Sequence, residues 1–323
     1  MRVLTSAQRR QFEEQGYVVV DGVLDPERDL APVMAEYDKV LDGIADGLLT
    51  EGRIRSAYRD VPFAARLIQI CMESGQNFPQ EFDISLPQTG VCHDTPIHLG
   101  PAVFRLLTTP RLLDLAEDLL GPELYSNPVQ HIRMKLPKRA VAQTGAYSGL
   151  VSQIPLHQDN GVILPEADES NILTVWFPLN EATIENGCLQ VIPASHRNNL
   201  IAHCPSEKGV GIPPSLLPGN PAVPLPMRQG SVLLMTSRTV HGSLDNTTEN
   251  EVRLSFDLRY QPIGQPTGRP AFPGFVARSA THPESVLKDP SAWARLWLET
   301  RARMAEEANP AFNRWMAGIG TCA

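Results

Sequence analysis

The run VRLSFDLRYQP, from Val252 to Pro262, constrains the fold more than any other stretch. In an extended chain Val252, Leu254, Phe256, Leu258 and Tyr260 fall on one face, and Arg253, Ser255, Asp257 and Arg259 on the other. A strand divided in this way needs an apolar layer on one side and water or a polar cavity on the other. Four more runs of period two precede it from about Tyr125: VQHIRMKLP, NILTVWFPLN, GCLQVIPAS and GSVLLMTSRTVHGS. Gly, Pro, Asn and Ser separate them, and no helices alternate with them. That pattern predicts a mainly β fold, a sandwich or barrel, rather than a parallel sheet.

The flanks read differently. TSAQRRQFEEQG is a helix with Ser6 as the capping candidate and Gly16 as its stop, and YVVVDGVL is a short strand. A second helix starts behind Asp25 and Pro26, and a third, TTPRLLDLAEDLLG, closes at Gly121. Proline is abundant, 29 of 323 residues, and concentrates in HCPSEKGVGIPPSLLPGNPAVPLPMRQG, a length that suggests a lid or a disordered loop. The last helical run, PSAWARLWLETRARMAEEA, suits either a cap on the barrel or the interface of a homodimer. No repeat is visible. A single catalytic domain over 1–323 is expected, with a mostly helical part at 1–124, a β core at 125–262, and an irregular segment and helix at 263–323.

Charge and cysteines narrow the class. A net charge of −8 argues against nucleic acid or an anionic membrane as partner. No stretch approaches the roughly 20 apolar residues of a membrane helix, and the N-terminus lacks a signal-peptide pattern. Five scattered cysteines without a Cys-x-x-Cys pair suggest neither a disulfide framework nor a zinc site, so a cytoplasmic location is expected.

Chemistry concentrates in PLHQDNGV. His157 and Asp159 lie one residue apart and share a face if the segment is extended; the plain alternative is a surface turn before Gly161. GSVLLMTSRTVHGS ends in a second histidine, His241. The polar DNTTEN behind it suggests a hairpin that returns along VRLSFDLRY and brings Arg253 near His241. Two imidazoles and a carboxylate on a β scaffold match the facial triad of non-haem iron(II), and an arginine fork suits a carboxylate.

With FEEQGYVVVDGVL, HQDNG, WFPLNEATIENGCLQVIPASH and VHGSLDNTTENEVRLSFDLRYQP in this order, the chain resembles the phytanoyl-CoA dioxygenase family of iron(II)/2-oxoglutarate oxygenases. The resemblance spans about Phe12 to Pro262. It implies a double-stranded β-helix, a jelly roll of cupin type, with flanking helices. It implies His157, Asp159 and His241 as iron(II) ligands, O2 as oxidant, and Arg253 as the partner of the far carboxylate of 2-oxoglutarate. The turn between His241 and Arg253 is one residue longer than is usual in the family, which leaves Arg259, on the same face, as the substitute. Trp176 reads equally as a cosubstrate contact or a core aromatic. Gln130 and Lys135 either reach the cosubstrate or stand exposed on their strand. His196 reads as structural, Asn186-Gly187 as a turn, and His282-Pro283-Glu284 as an ordinary helix start.

The activity so implied converts 2-oxoglutarate to succinate and CO2 while hydroxylating an unactivated C–H bond of a small metabolite or natural-product intermediate, as in secondary metabolism. Desaturation, cyclisation and epimerisation share that chemistry. Related halogenases keep a small residue where Asp159 stands, so halogenation is disfavoured. Two rivals remain. One is a redox-inert metal hydrolase or isomerase, which has no need of Arg253; the other is a non-catalytic β-sandwich binding protein. Lys135, Lys138 and Arg139 are thin support for a CoA phosphate site. Selectivity is expected in the loops before Leu99, in TGAYSG as a closing rim, and in the proline-rich excursion.

Overall fold

The computed structural model describes residues 3–145, 150–206, 209–307 and 310–315. Its strands are β1 (Tyr17–Val20), β2 (Leu124–Lys135), β3 (Leu173–Pro178), β4 (Leu189–Val191), β5 (Cys204–Ser206), β6 (Gly209–Gly211), β7 (Val223–Leu225), β8 (Val232–Thr236), β9 (His241–Ser243), β10 (Arg253–Pro262) and β11 (Phe275–Arg278). The larger sheet runs β1-β8-β3-β10-β2-β11, the smaller β7-β4-β9, and β5 pairs with β6 alone. Every pairing is antiparallel. Two such sheets with helices outside the larger one form a double-stranded β-helix core.

The alternation in β10 sets the layers. Leu254, Phe256, Leu258 and Tyr260 join Val175 and Phe177 of β3 in one buried cluster with Val33, Tyr37, Leu41, Leu67, Trp293 and Trp297 from the helices. Each such side chain contributes about 1.5–3 kcal/mol by leaving water. Arg253, Ser255, Asp257 and Arg259 turn to the other side of the sheet and are buried as well. The polar face therefore looks into the barrel, not out to solvent. The helix Pro290–Glu306 lays Trp293, Trp297 and Met304 on the apolar layer.

Several expectations need correction. GSVLLMTSRTVHGS is two strands: β8 belongs to the larger sheet and β9 to the smaller. His241 and Arg253 are thus not a hairpin, because β9 pairs with β4 while β10 pairs with β2 and β3. Jelly-roll connections hand the chain from sheet to sheet, which alternation within one strand does not reveal. The cap of the first helix is Thr5, which closes a capping box with Gln8; the helix runs Ser6–Gln15 and stops at Gly16 in the left-handed region (φ 81°). Both flanks add strands to the large sheet, β1 and β11. The proline-rich excursion carries β5, β6 and β7. The region read as substrate loops holds a helix, Phe63–Ser74, which buries Leu67, Ile68, Ile70 and Cys71. Cys71, Cys92 and Cys188 are free, whereas Cys204 is disulfide-bonded. No helix of the described residues is long and apolar enough to cross a membrane.

Candidate metal centre

His157 and His241 face one another across an isolated antiparallel bridge. The His157 N–H donates to the His241 carbonyl at 2.8 Å, and the His241 N–H returns to the His157 carbonyl at 2.9 Å. Directly opposed residues share a face, so the two rings meet with centroids 4.4 Å apart. Gln158 is extended (φ −107°, ψ 141°), which returns Asp159 to the same side. One ligand atom from each of the three lies within 4.8 Å of the others. Asp159 Oδ1 is 3.8 Å from His157 Nε2 and 4.0 Å from His241 Nε2.

Backbone carbonyls set the tautomers. His157 Nδ1 donates to the Pro155 carbonyl (2.9 Å) and His241 Nδ1 to the Thr239 carbonyl (3.0 Å). A carbonyl only accepts, so the proton sits on Nδ1 and the Nε2 lone pair points at the centre. Burial, reinforced by the His241 ring, pulls His157 down to about 3, so its ring is neutral at ordinary pH. The carboxylate is equally fixed. Thr174 donates its hydroxyl to Asp159 Oδ2, and Arg259 Nη2 donates to Oδ1. Burial alone would raise the Asp159 carboxyl, but Arg259 and the two imidazoles outweigh it and hold it below the usual carboxylate range. Two imidazoles and one ionised carboxylate fit a divalent ion with open positions.

On the inward face of the large sheet, near this centre, two basic side chains are buried. Arg253 stands opposite Lys135 in the sheet register, and both are fully buried. Lys135 Nζ donates to Ser243 Oγ and the Leu244 carbonyl; Arg253 Nη1 donates to Ser255 Oγ at 2.6 Å. Arg253 Nε and Nη2 have no hydrogen-bond partner among the described residues, and neither has Trp176 Nε1, whose ring centroid is 5.3 Å from Arg253 Cζ. Burial, then the charge of Arg253, pulls Lys135 down to about 6. Burial, then the charge of Arg133, pulls Arg253 down to about 9. Unpartnered donors on a buried guanidinium are costly unless an anion joins them. Ser243 is two residues beyond His241 on the same face of β9, about 6.6 Å along the strand.

The other predicted residues fall as follows. Arg259 belongs to the metal centre: it holds Asp159 and donates to the Val129 carbonyl at 2.8 Å. Trp176 packs with Cys188 and Leu189, and its ring faces the Arg253 guanidinium. Gln130 lies where the pairing of β2 slips and donates to the Ile84 carbonyl at 3.4 Å. Lys135, with exposure as one reading, is 1 % exposed. His196 bonds the Glu13 carbonyl, and His282 is an exposed partner of Glu284. Lys138 pairs with Asp245 and Arg139 with the Glu249 carbonyl, so neither offers a ready phosphate site. The tip of TGAYSG, 146–149, lies outside the described residues. Thr174 and Ser243 were missed, although each sits two residues from a residue already singled out, Trp176 and His241, and parity would have found them.

A double-stranded β-helix with His-Asp-His at its mouth and a buried arginine beside it belongs to the non-haem iron, 2-oxoglutarate-dependent class of oxygenase. The sequence model described as "Phytanoyl-CoA dioxygenase (PhyH)" matches residues 12–254, most of the chain, and the protein belongs to that family. Among curated relatives, the mouse (Mus musculus) phytanoyl-CoA dioxygenase domain-containing protein 1 is 27% identical over 283 residues, covering 77% of this chain and 88% of that one. Among solved structures, the apo form of the non-heme monooxygenase ThoJ aligns with a TM-score of 0.57 at 19% identity, over 92% of this chain and 98% of its own. The non-heme alpha-ketoglutarate-dependent carbocyclase SnoK from nogalamycin biosynthesis aligns at 0.50 and 21%, over 89% and 94%. At these identities the structures bear on the fold alone.

Proposed function

We propose that His157, Asp159 and His241 hold iron(II) and that Arg253, with Lys135, receives the far carboxylate of 2-oxoglutarate. The observation that carries this is the pairing of a His-Asp-His cluster with a fully buried guanidinium whose Nε and Nη2 lack partners. A metal hydrolase needs the first and has no use for the second. Iron, when bound, supplies oxygen activation coupled to decarboxylation of 2-oxoglutarate to succinate and CO2. The protein's own part is positional: Arg259 and Thr174 hold the carboxylate ligand still, and Arg253 with Lys135 sets the direction of the cosubstrate.

The reaction we favour is hydroxylation of an unactivated C–H bond in a small metabolite, carried by the whole chain as one catalytic unit. Desaturation, cyclisation and epimerisation share that chemistry and stay as variants; the fold is also that of a monooxygenase and a carbocyclase. The residues that share the inward face of β2 and β10 favour a polar substrate over an acyl chain. Arg133 pairs with Asp257 at 2.9 Å, and His131, opposite Asp257 in the register, is oriented by Asp83 at 2.8 Å. Anaerobic titration with iron(II) and then 2-oxoglutarate tests the reading. A weak visible charge-transfer band is expected in the wild type and not in His157→Ala; its absence from the wild type refutes the assignment.

A further inference from the structure

The metal-ligating loop is held from its outer side by residues that touch no ligand. Gln158 lies between His157 and Asp159. Its N–H donates to His203 Nε2 at 2.8 Å, while His203 Nδ1 donates to the Ile201 carbonyl at 2.7 Å. The Gln158 side chain accepts from the Ile201 N–H (2.8 Å) and donates to the Arg238 carbonyl (2.9 Å). Beyond Asp159 the chain makes a single 3-10 turn, Asp159–Val162, and so short a turn leaves its last carbonyls without partners of their own.

Three consecutive carbonyls are satisfied from elsewhere. Trp315 Nε1 donates to the Gly161 carbonyl at 2.6 Å, Arg269 Nη2 to that of Val162 at 2.8 Å, and Arg314 Nε to that of Ile163 at 2.8 Å. The Trp315 ring also stacks on His203, with centroids 5.6 Å apart and planes at 23°. Arg314 forks onto Asp168 at 2.7 and 2.9 Å. Phe312 anchors the segment against Phe272 and the Arg269 guanidinium, at 5.0 and 5.2 Å. Gly161 permits the approach: a Cβ there would stand 2.2 Å from His203 Cε1. The turn, the imidazole and the indole are thus packed in succession, with a glycine where any other residue would separate them.

We infer that Trp315, with Arg314, Arg269 and His203, is a brace that positions the metal-ligating loop, so that metal affinity depends on a C-terminal segment outside the barrel. Trp315 is a positioning residue: it acts on Asp159 through Gly161, and on His157 and Asp159 through His203 and Gln158. This rests on His157, Asp159 and His241 being metal ligands.

The test uses the full chain, metal-free, with cobalt(II) as the probe, and compares wild type, Trp315→Phe, Trp315→Ala and Trp297→Phe. The Phe variant keeps the stack and loses the bond to the Gly161 carbonyl; the Ala variant loses both. We expect cobalt affinity to fall about 10-fold in the Ala variant and about 5-fold in the Phe variant. Amide exchange at 158–163 should quicken in both, with the unfolding midpoint of the metal-free protein nearly unchanged. Trp297→Phe, a substitution in the apolar layer, should lower the midpoint and leave cobalt affinity as it was. No cobalt binding by the wild type defeats the ligand assignment itself. Wild-type affinity and exchange in both Trp315 variants defeats the brace and leaves the assignment standing. If the Ala variant does not fold, the Phe variant and its exchange rates decide.

Discussion

Arg253→Met separates an anchoring arginine from a structural one. Methionine keeps most of the side-chain length and removes the charge and all five donors. The Arg253 side chain is fully buried and, among the described residues, donates to Ser255 and leaves Nε and Nη2 unpartnered, opposite a second buried basic group, Lys135. If those two donors meet a carboxylate, each charge-assisted bond contributes about 1.5–3 kcal/mol. Removing both should weaken 2-oxoglutarate binding by about 3–6 kcal/mol, which is roughly two to four powers of ten in Kd. The metal-free, cosubstrate-free protein should respond in the opposite sense. It sheds an uncompensated buried charge, so its unfolding midpoint should hold or rise. Anaerobic titration of the iron(II) protein gives the Kd, and thermal unfolding without ligand gives the midpoint. A midpoint lowered by several degrees with an unchanged 2-oxoglutarate Kd would refute the reasoning and make Arg253 a structural residue.

Lys135 should make 2-oxoglutarate binding pH-dependent. It sits at about 6 in the free protein, and a carboxylate beside it raises that value, so affinity is fullest below pH 6 and declines by up to about tenfold per unit above it. Calorimetry at pH 7.5 in two buffers of different ionisation heat should show proton uptake, and none would contradict the placement of Lys135. Thr174→Val removes the hydroxyl that holds Asp159 Oδ2 and should weaken iron(II) about 10-fold by chelator competition; a 2-oxoglutarate effect without a metal effect would relocate Thr174 to the other site. Long-chain acyl-CoA should leave succinate formation at its substrate-free rate, because the inward face carries the Arg133–Asp257 ion pair and Lys138 and Arg139 are engaged. Stimulated turnover would overturn the polar-substrate reading.

The faces of β10, the helix stops at Gly16 and Gly121, and the residue types of the metal cluster were legible in the sequence, because each depends on neighbours within a few positions. His157 and Asp159 needed only an extended Gln158 to converge. What parity could not do was choose between Arg253 and Arg259. They share a face, and six residues of strand separate them by about 20 Å. Which end of β10 lies at Asp159 follows from how β10 is paired with β2 and β3, not from β10 itself. The same holds for His241, whose strand leaves the larger sheet for the smaller and meets His157 across a bridge between segments 84 residues apart (241 − 157). The outer brace was invisible for that reason too: Trp315 reads as one more aromatic near the end of the chain until folding sets it against Gly161. Local patterning determined which residues point inward; the pairing of strands distant in sequence decided which of those inward residues meet, since hydrogen-bonded register is a property of two segments and not of one.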